Sequence, residues 1–195
     1  MKPSFNFVGL SGSLREKSYS SLVLATFEQL LSARGHGLGR VDIGEMPHYN
    51  QDIEDTIVPE PVADARGRVK HCDGIVIVTP EFNHGIPGVL KNALDWLSRP
   101  AFASCFADKA VLFCTLSPGA LGGVRAQHQL RETLSSMLCD VVPMPEIVIG
   151  NVAQKCANGM LSDQSTIDFI ATSIDQFTRG IAIRSGAELA LSGPA

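Results

Sequence analysis

Short apolar runs alternate with segments of helical period along the whole chain. The first run, Phe5-Asn6-Phe7-Val8-Gly9-Leu10, gives way to a polar loop from Ser11 to Ser18; beyond it Leu22, Val23, Phe27, Leu30 and Leu31 recur on one face of a helix that Gly35 and Gly37 stop. A weaker strand is predicted over Leu38 to Ile43 and a helix over Pro61 to Lys70. The run Gly74-Ile75-Val76-Ile77-Val78-Thr79 lacks polar alternation, which marks a parallel strand buried on both faces. A loop follows, then helical spacing of Val89, Leu90, Ala93, Leu94, Trp96 and Leu97 within Gly88 to Leu97. Ala110 to Leu116 reads as a fourth strand, Ala126 to Leu138 as a helix, and Val141 to Ile149 as a fifth strand interrupted by Pro143 and Pro145. Ile167, Ile170, Ile174, Phe177 and Ile181 line a last long helix.

Five strands alternating with five helices predict an α/β fold, a parallel sheet with helices on both faces and right-handed crossovers. In such sheets ligands bind outside the carboxyl ends of the strands, at the point where the strand order reverses. The chain has 195 residues, 45% apolar and 18% charged, which suits one globular domain spanning 1–195. A net charge of −4 argues against sequence-independent nucleic-acid binding, which needs a basic footprint. Cys72, Cys105, Cys114, Cys139 and Cys156 are widely spaced and form no C-x-x-C pair, so they outline neither a disulfide framework nor a zinc site and fit a reducing cytosol. His36, His48 and His71 lack ligand spacing and read as surface residues. The opening MKPSFNFVGLSGS is too short and too rich in Gly and Ser for a signal peptide, and no apolar run reaches membrane-spanning length. The expectation is a cytoplasmic protein that engages neither membrane nor nucleic acid.

Three loops fall at strand ends where ligands bind. In the first, Gly9 to Ser20, the hydroxyls of Ser11, Ser13, Ser18 and Ser20 and the fork of Arg15 lie where a strand enters a helix, a place whose free N–H groups favour an anion. No Gly-Lys-Ser/Thr and no G-x-G-x-x-G occurs there, so a phosphate would rest on hydroxyls and amides. The competing account is a turn with Ser18 or Ser20 as helix N-cap. The second loop, Pro80-Glu81-Phe82-Asn83-His84-Gly85-Ile86-Pro87-Gly88, has a backbone fixed by proline and glycine; it suits the edge of a flat heterocycle, with Glu81 as acceptor and Phe82 or Asn83 beside the ring, or equally a rigid strand–helix connection with Pro87 near the helix start. The third, Leu116 to Arg125, is glycine-rich and is followed by Arg125 and His128 on a helix. Those two side chains either attract dinucleotide phosphates or belong to a solvated face.

Together these loops resemble the NAD(P)H-dependent FMN reductase family, in its bacterial quinone and chromate reductase branch. The pattern G-S-L-R-x-x-S-x-N is matched by Gly12-Ser13-Leu14-Arg15-Glu16-Lys17-Ser18-Tyr19-Ser20, and T-P-E-Y-N-x-x-x-P-G-x-L-K-N-A-x-D-W-L-S-R by Thr79-Pro80-Glu81-Phe82-Asn83 through Pro87-Gly88 to Arg99. Gly122-Gly123-x-Arg125 also matches, and the likeness covers nearly the whole chain. It implies a flavodoxin-like five-stranded parallel sheet of order 2-1-3-4-5. It further implies non-covalent FMN, with Ser13, Arg15 and Ser18 holding the phosphate and Ser11, Leu14 and Ser20 of the same loop in the cofactor site, Pro80, Glu81, Phe82 and Asn83 at the isoalloxazine, and Ser117 near it from the third loop. Ser20 stands where the family has asparagine and Phe82 where it has tyrosine.

The resemblance implies a ping-pong oxidoreductase: NADH or NADPH gives hydride to flavin N5, and a quinone, free flavin, azo compound or chromate then takes two electrons. The flavin does the redox chemistry, so no side chain is assigned as catalytic acid or base and no metal is expected. An electron-carrier flavodoxin is the competing function, though such carriers are usually far more acidic. A phospho-signalling domain needs acidic residues where Ser11 and Thr79 stand. The family further implies a homodimer or homotetramer. Trp96, the single tryptophan, is either part of that interface or packed within its own subunit.

Overall fold

A computed structural model of the protein describes residues 3–186; the two ends of the 1–195 span assigned to one domain lie outside the described residues. The strands are β1 (Asn6–Ser11), β2 (Gly37–Val41), β3 (Gly74–Pro80), β4 (Ala110–Leu116), β5 (Asp140–Val141) and β6 (Ile147–Ile149). All pair in parallel in the order β2-β1-β3-β4-β5, with β6 also on β4. This is the flavodoxin-like 2-1-3-4-5 arrangement. The helices are α1 (Tyr19–Ser32), α2 (Gln51–Thr56), α3 (Glu60–His71), α4 (Gly88–Leu97), α5 (Val124–Ser136) and α6 (Gln164–Arg184).

The two-residue period of a strand divides each central strand between two cores. Val8, Leu10, Ile75, Ile77, Val111 and Phe113 face α3, α4 and α5, where they meet Val62, Leu90, Leu94, Trp96, Leu130 and Leu134. Phe7, Val76, Val78, Leu112 and Cys114 face α1 and α6 and pack on Phe27, Ile170, Ile174 and Phe177. With both faces covered, β3 and β4 are apolar but for the buried Thr79 and Thr115 near their carboxyl ends.

The fifth strand departs from the expected Val141 to Ile149. Its two ends pair with β4, Asp140 on Ala110 and Ile147 on Cys114, and residues 142–146 bulge out between them, so the register shifts by three residues. Pro143 and Pro145 have no N–H to give the ladder, which explains where the pairing lapses. Two features had no signal in the pattern: the six-residue α2, capped by Asn50 but burying no residue, and a small hairpin of β7 (Cys156–Ala157) with β8 (Met160–Leu161). Among the described residues α2 brings the α-helices to six, one more than expected.

Trp96 is fully buried within the chain. Its indole N–H donates to the Pro47 carbonyl at 2.7 Å and its ring meets Tyr49 edge-on at 5.0 Å, so the interface account of this residue falls. His36 is likewise not a plain surface residue: it is half-buried against Phe5 and Phe7, and its Nδ1 accepts the Phe5 N–H at 3.2 Å. Burial, reinforced by nearby Arg34, lowers its pKa below the ordinary histidine value. Among the described residues, no helix is long and apolar enough to cross a membrane.

Candidate functional site

The three loops meet at the carboxyl ends of β1, β3 and β4. The first is pressed against β3: the Gly12 N–H donates to the Val78 carbonyl at 2.8 Å, and a Cβ at Gly12 would stand 2.1 Å from Thr79 Oγ1. Only glycine permits that approach. Ser18 is the N-cap of α1, its hydroxyl accepting the Ser21 N–H at 3.1 Å and donating to Ser21 Oγ at 2.8 Å. That settles the choice between Ser18 and Ser20 as the cap. Ser11 Oγ lies 3.3 Å from both Ser21 Oγ and the Ser13 carbonyl, and Ser13 Oγ accepts the Arg15 N–H at 3.4 Å. Ser11, Ser13 and Ser18 are thereby linked by short-range bonds around the mouth of α1.

Two groups of this loop stand without partners. Arg15 is exposed, with no salt bridge or side-chain hydrogen bond among the described residues. Ser20 is buried in the first turn of α1 and its hydroxyl has no partner. An unpartnered guanidinium in the loop that enters α1, with an orphaned hydroxyl in the first turn of that helix, suits a phosphate dianion. Leu14 is exposed and adjoins Gly44 in the segment after β2.

The second loop forms a tight turn. Phe82 and Gly85 exchange backbone hydrogen bonds of 2.9 and 3.0 Å around Asn83 and His84, both at positive φ (49° and 67°). This is the primed turn geometry in which glycine or asparagine is usual. Phe82 projects outward, 56% exposed. Glu81 points the other way: its Oε2 accepts the N–H groups of Arg125 and Ala126 at 2.9 and 3.1 Å, and its Oε1 lies 3.8 Å from Arg125 Nη1. Its carboxylate therefore caps α5 and answers the positive end of that helix. The sequence offers Glu81 as an acceptor for the ring; in the structure its acceptor capacity goes first to a helix. The turn also receives a contact that sequence reasoning misses, from Gln129 on α5, whose Oε1 accepts the Ile86 N–H at 2.7 Å. No local signal marks that residue, because the partners are 43 positions apart.

In the third loop Ser117 Oγ accepts the Gly119 N–H at 3.0 Å, and the Ser117 N–H donates to the Ile149 carbonyl at 3.1 Å. Gly123, at φ 88°, is the N-cap of α5, and a Cβ there would reach Thr115 Cβ at 3.1 Å and Glu81 Cβ at 3.4 Å. The glycines thus draw this loop onto the ends of β3 and β4. Arg125 leans on Glu81, whereas His128 lies in the open 3.9 Å from Glu132, as a solvated helix face would have it.

Such a site, a hydroxyl-and-amide cradle at the switch point of a 2-1-3-4-5 sheet beside a rigid turn able to border a planar ring, defines a flavodoxin-like flavin protein. The model of the NADPH-dependent FMN reductase family matches residues 5–154, and the chain belongs to that family. Its cofactors are FMN and a reduced nicotinamide. The chain is 34% identical over 180 residues to a quinone reductase of Escherichia coli (strain K12), covering 91% of this chain and 95% of the relative. It is 34% identical over 174 residues to a 2-hydroxy-1,4-benzoquinone reductase of a Burkholderia species, covering 89% and 94%. Among solved structures it is similar to FerB, a flavoenzyme NAD(P)H:(acceptor) oxidoreductase from Paracoccus denitrificans, with a TM-score of 0.83 and 31% identity over 91% of this chain and 97% of that one.

Proposed function

We propose that this NAD(P)H-dependent FMN oxidoreductase delivers its electrons to a quinone. The observation that carries the reading is the junction at Gly12, which joins the phosphate cradle to the end of β3 and so fixes its distance from the turn at Phe82. The quinone reductases among its relatives support the choice of acceptor. Free flavin, azo compounds and chromate remain further acceptors of the same flat, exposed site.

In this reading Ser11, Ser13, Leu14, Arg15, Ser18 and Ser20 surround the phosphate. Arg15 neutralises it, the Ser20 hydroxyl gains the partner it lacks, and Ser18 holds the α1 mouth open by capping it. Pro80 to Asn83 border the isoalloxazine, Phe82 offering an apolar face and Asn83 a polar edge, with Ser117 across from them. Glu81 contributes by holding the turn to α5. FMN, when bound, supplies the two-electron transfer from reduced nicotinamide to acceptor, in a ping-pong order. The protein's part is binding, orientation and the exclusion of water, with no side chain acting as catalytic acid or base. The chain 1–195 works as one domain in the cytoplasm, as a homodimer or homotetramer.

The test is the visible spectrum of protein reconstituted with FMN and desalted, before and after anaerobic NADH or NADPH. A retained flavin band that bleaches, and recovers on adding a benzoquinone, is expected. A band that stays unbleached would assign an electron carrier, and no retained band would overturn the assignment of the cradle.

A further inference from the structure

We propose that Gln129 is a positioning residue for the isoalloxazine turn, forming with Glu81 a two-point clamp that fixes residues 82–85 on α5 before any flavin arrives. The proposal rests on the reading of this turn as the flavin edge. Nothing within the turn itself can hold it in place. Phe82, Asn83 and His84 are all exposed, so no side chain of the three anchors it in a core. Asn83 and His84 occupy the left-handed region, which is unfavourable for a residue other than glycine. Two bonds across the turn define its shape but not its direction relative to the sheet.

Direction comes from α5. Arg125 and Ala126, whose N–H groups Glu81 accepts, lie four and three positions before Gln129, so all three occupy one face of the helix. The Glu81 carboxylate grips the entry to the turn and the Gln129 carboxamide grips its exit, at the Ile86 N–H. Ile86 and Pro87 are buried immediately beyond, which completes the exit. Gly85 is part of the device: a Cβ there would lie 2.5 Å from Gln129 Oε1 and displace it. Gly85 carries no positive φ that would itself demand glycine, so the close contact with Gln129 is the visible reason for a residue without a side chain. The clamp also ties the flavin edge to the third loop, since the same helix start is shaped by Gly123.

The test compares Gln129→Leu, which cannot accept a hydrogen bond, with Gln129→Glu, which can, and with Gly85→Ala. Three measurements are made: amide hydrogen exchange of Gly85 and Ile86 in the FMN-free protein, the Kd for FMN, and the visible circular dichroism of bound FMN. Loss of one net hydrogen bond corresponds to about a fivefold change. Q129L and G85A are therefore expected to exchange these amides about fivefold faster, to bind FMN about fivefold more weakly and to alter its dichroism, while Q129E restores all three. A merely stabilising role would lower the melting temperature of the FMN-free protein and leave the dichroism of the bound flavin unchanged. Unchanged exchange in Q129L overturns the clamp, whatever the protein binds. Faster exchange with unaltered Kd and dichroism overturns its role toward the flavin. Failure of the unmodified protein to bind FMN overturns the functional reading instead, and exchange in the FMN-free variants then decides the clamp by itself.

Discussion

The two ends of the sheet use the same strands and treat polar groups in opposite ways. At the carboxyl ends, Arg15 and the Ser20 hydroxyl have no partner, and Leu14, Phe82 and Leu121, one from each loop, are 59%, 56% and 60% exposed. At the amino ends most polar groups are engaged, the buried Arg99 Nε being an exception. Lys109 Nζ donates to the carbonyls of Lys70 and Cys72 and so closes the end of α3, while Asp108 N–H donates to Leu138 and Asp140 N–H to Lys109. Cys72, Cys105 and Cys139, which precede β3, β4 and β5, pack on the core beneath α3, α4 and α5. Burial pushes the Cys105 thiol up to about 11 and the Cys139 thiol to about 12. An unpartnered guanidinium and hydroxyl beside exposed apolar side chains, rather than reactive residue types, distinguish the carboxyl ends.

That contrast is broken most severely by filling the Gly12 junction. Gly12→Ala would place a Cβ 2.1 Å from Thr79 Oγ1 and 3.0 Å from the Thr79 Cα, and a backbone neighbour cannot step aside. A loss of about 3 kcal/mol, at the upper end for overpacking, is expected in urea unfolding, together with loss of FMN retention. An alanine variant of native stability would show that the loop is free to lift from β3. Next in size is Glu81→Ala, which strips the start of α5 of a charge-assisted acceptor. About 2 kcal/mol of stability should go, and FMN affinity with it, because the turn loses one of its two supports. Glu81→Ala with unchanged FMN affinity would separate the cap from the site.

How far this is readable in the sequence depends on the range of the interactions involved. β4 is legible to the residue and β3 to within one, since strands buried on both faces leave an unbroken apolar signal. The fifth strand is legible as apolar, and its prolines give warning, but the lapse in pairing depends on what β4 presents opposite them. α2 and the β7–β8 hairpin are too short for any period to emerge. Trp96 is open to two accounts because composition knows only that tryptophan favours interfaces; the Pro47 carbonyl that satisfies its N–H lies 49 positions away. At the candidate site, Ser13, Arg15 and Ser18 are singled out by the motif they share with the family. The capping of α5 by Glu81, the contact of Gly12 with Thr79 and the bond from Gln129 to the turn are tertiary, between residues with no mutual signature.

The other end of the sheet sharpens the comparison with smaller effects. Lys109→Met should cost about 1 kcal/mol, by uncapping the end of α3, and leave FMN affinity as it was. A fall in FMN affinity would mean that the two ends are coupled. The thiols there should be inert. At pH 8 a group titrating at about 11 is ionised to about one part in a thousand and one at about 12 tenfold less, so iodoacetamide should label Cys105 in the native protein on the order of a hundredfold, and Cys139 on the order of a thousandfold, more slowly than free cysteine. Rapid labelling of either, followed by mass spectrometry, would place reactive sulfur at the amino ends of the strands and erase the difference between the two ends.

The smallest effect concerns Asp163, the N-cap of α6, and tests whether a fully engaged polar group behaves like one. Its Oδ2 accepts the Thr166 N–H at 3.0 Å and the hydroxyls of Thr166 and Ser165 at 2.5 and 2.8 Å, with Lys155 Nζ 3.7 Å away. Those hydrogen bonds hold its carboxyl down at about 2. The folded value lies below the unfolded one, near 4, so the ionised cap stabilises the fold fully above about pH 4. That contribution is lost as pH falls from about 4 through 2, when the unfolded chain takes up the proton first. Asp163→Asn keeps an acceptor for the helix start but cannot titrate. Its unfolding free energy, measured in urea between pH 5 and 2, should therefore fall less steeply with acid than that of the unmodified protein. Parallel slopes would mean that the hydroxyls of Thr166 and Ser165 turn to solvent, and that a capping carboxylate at this edge is held no more firmly than the free groups of the first loop.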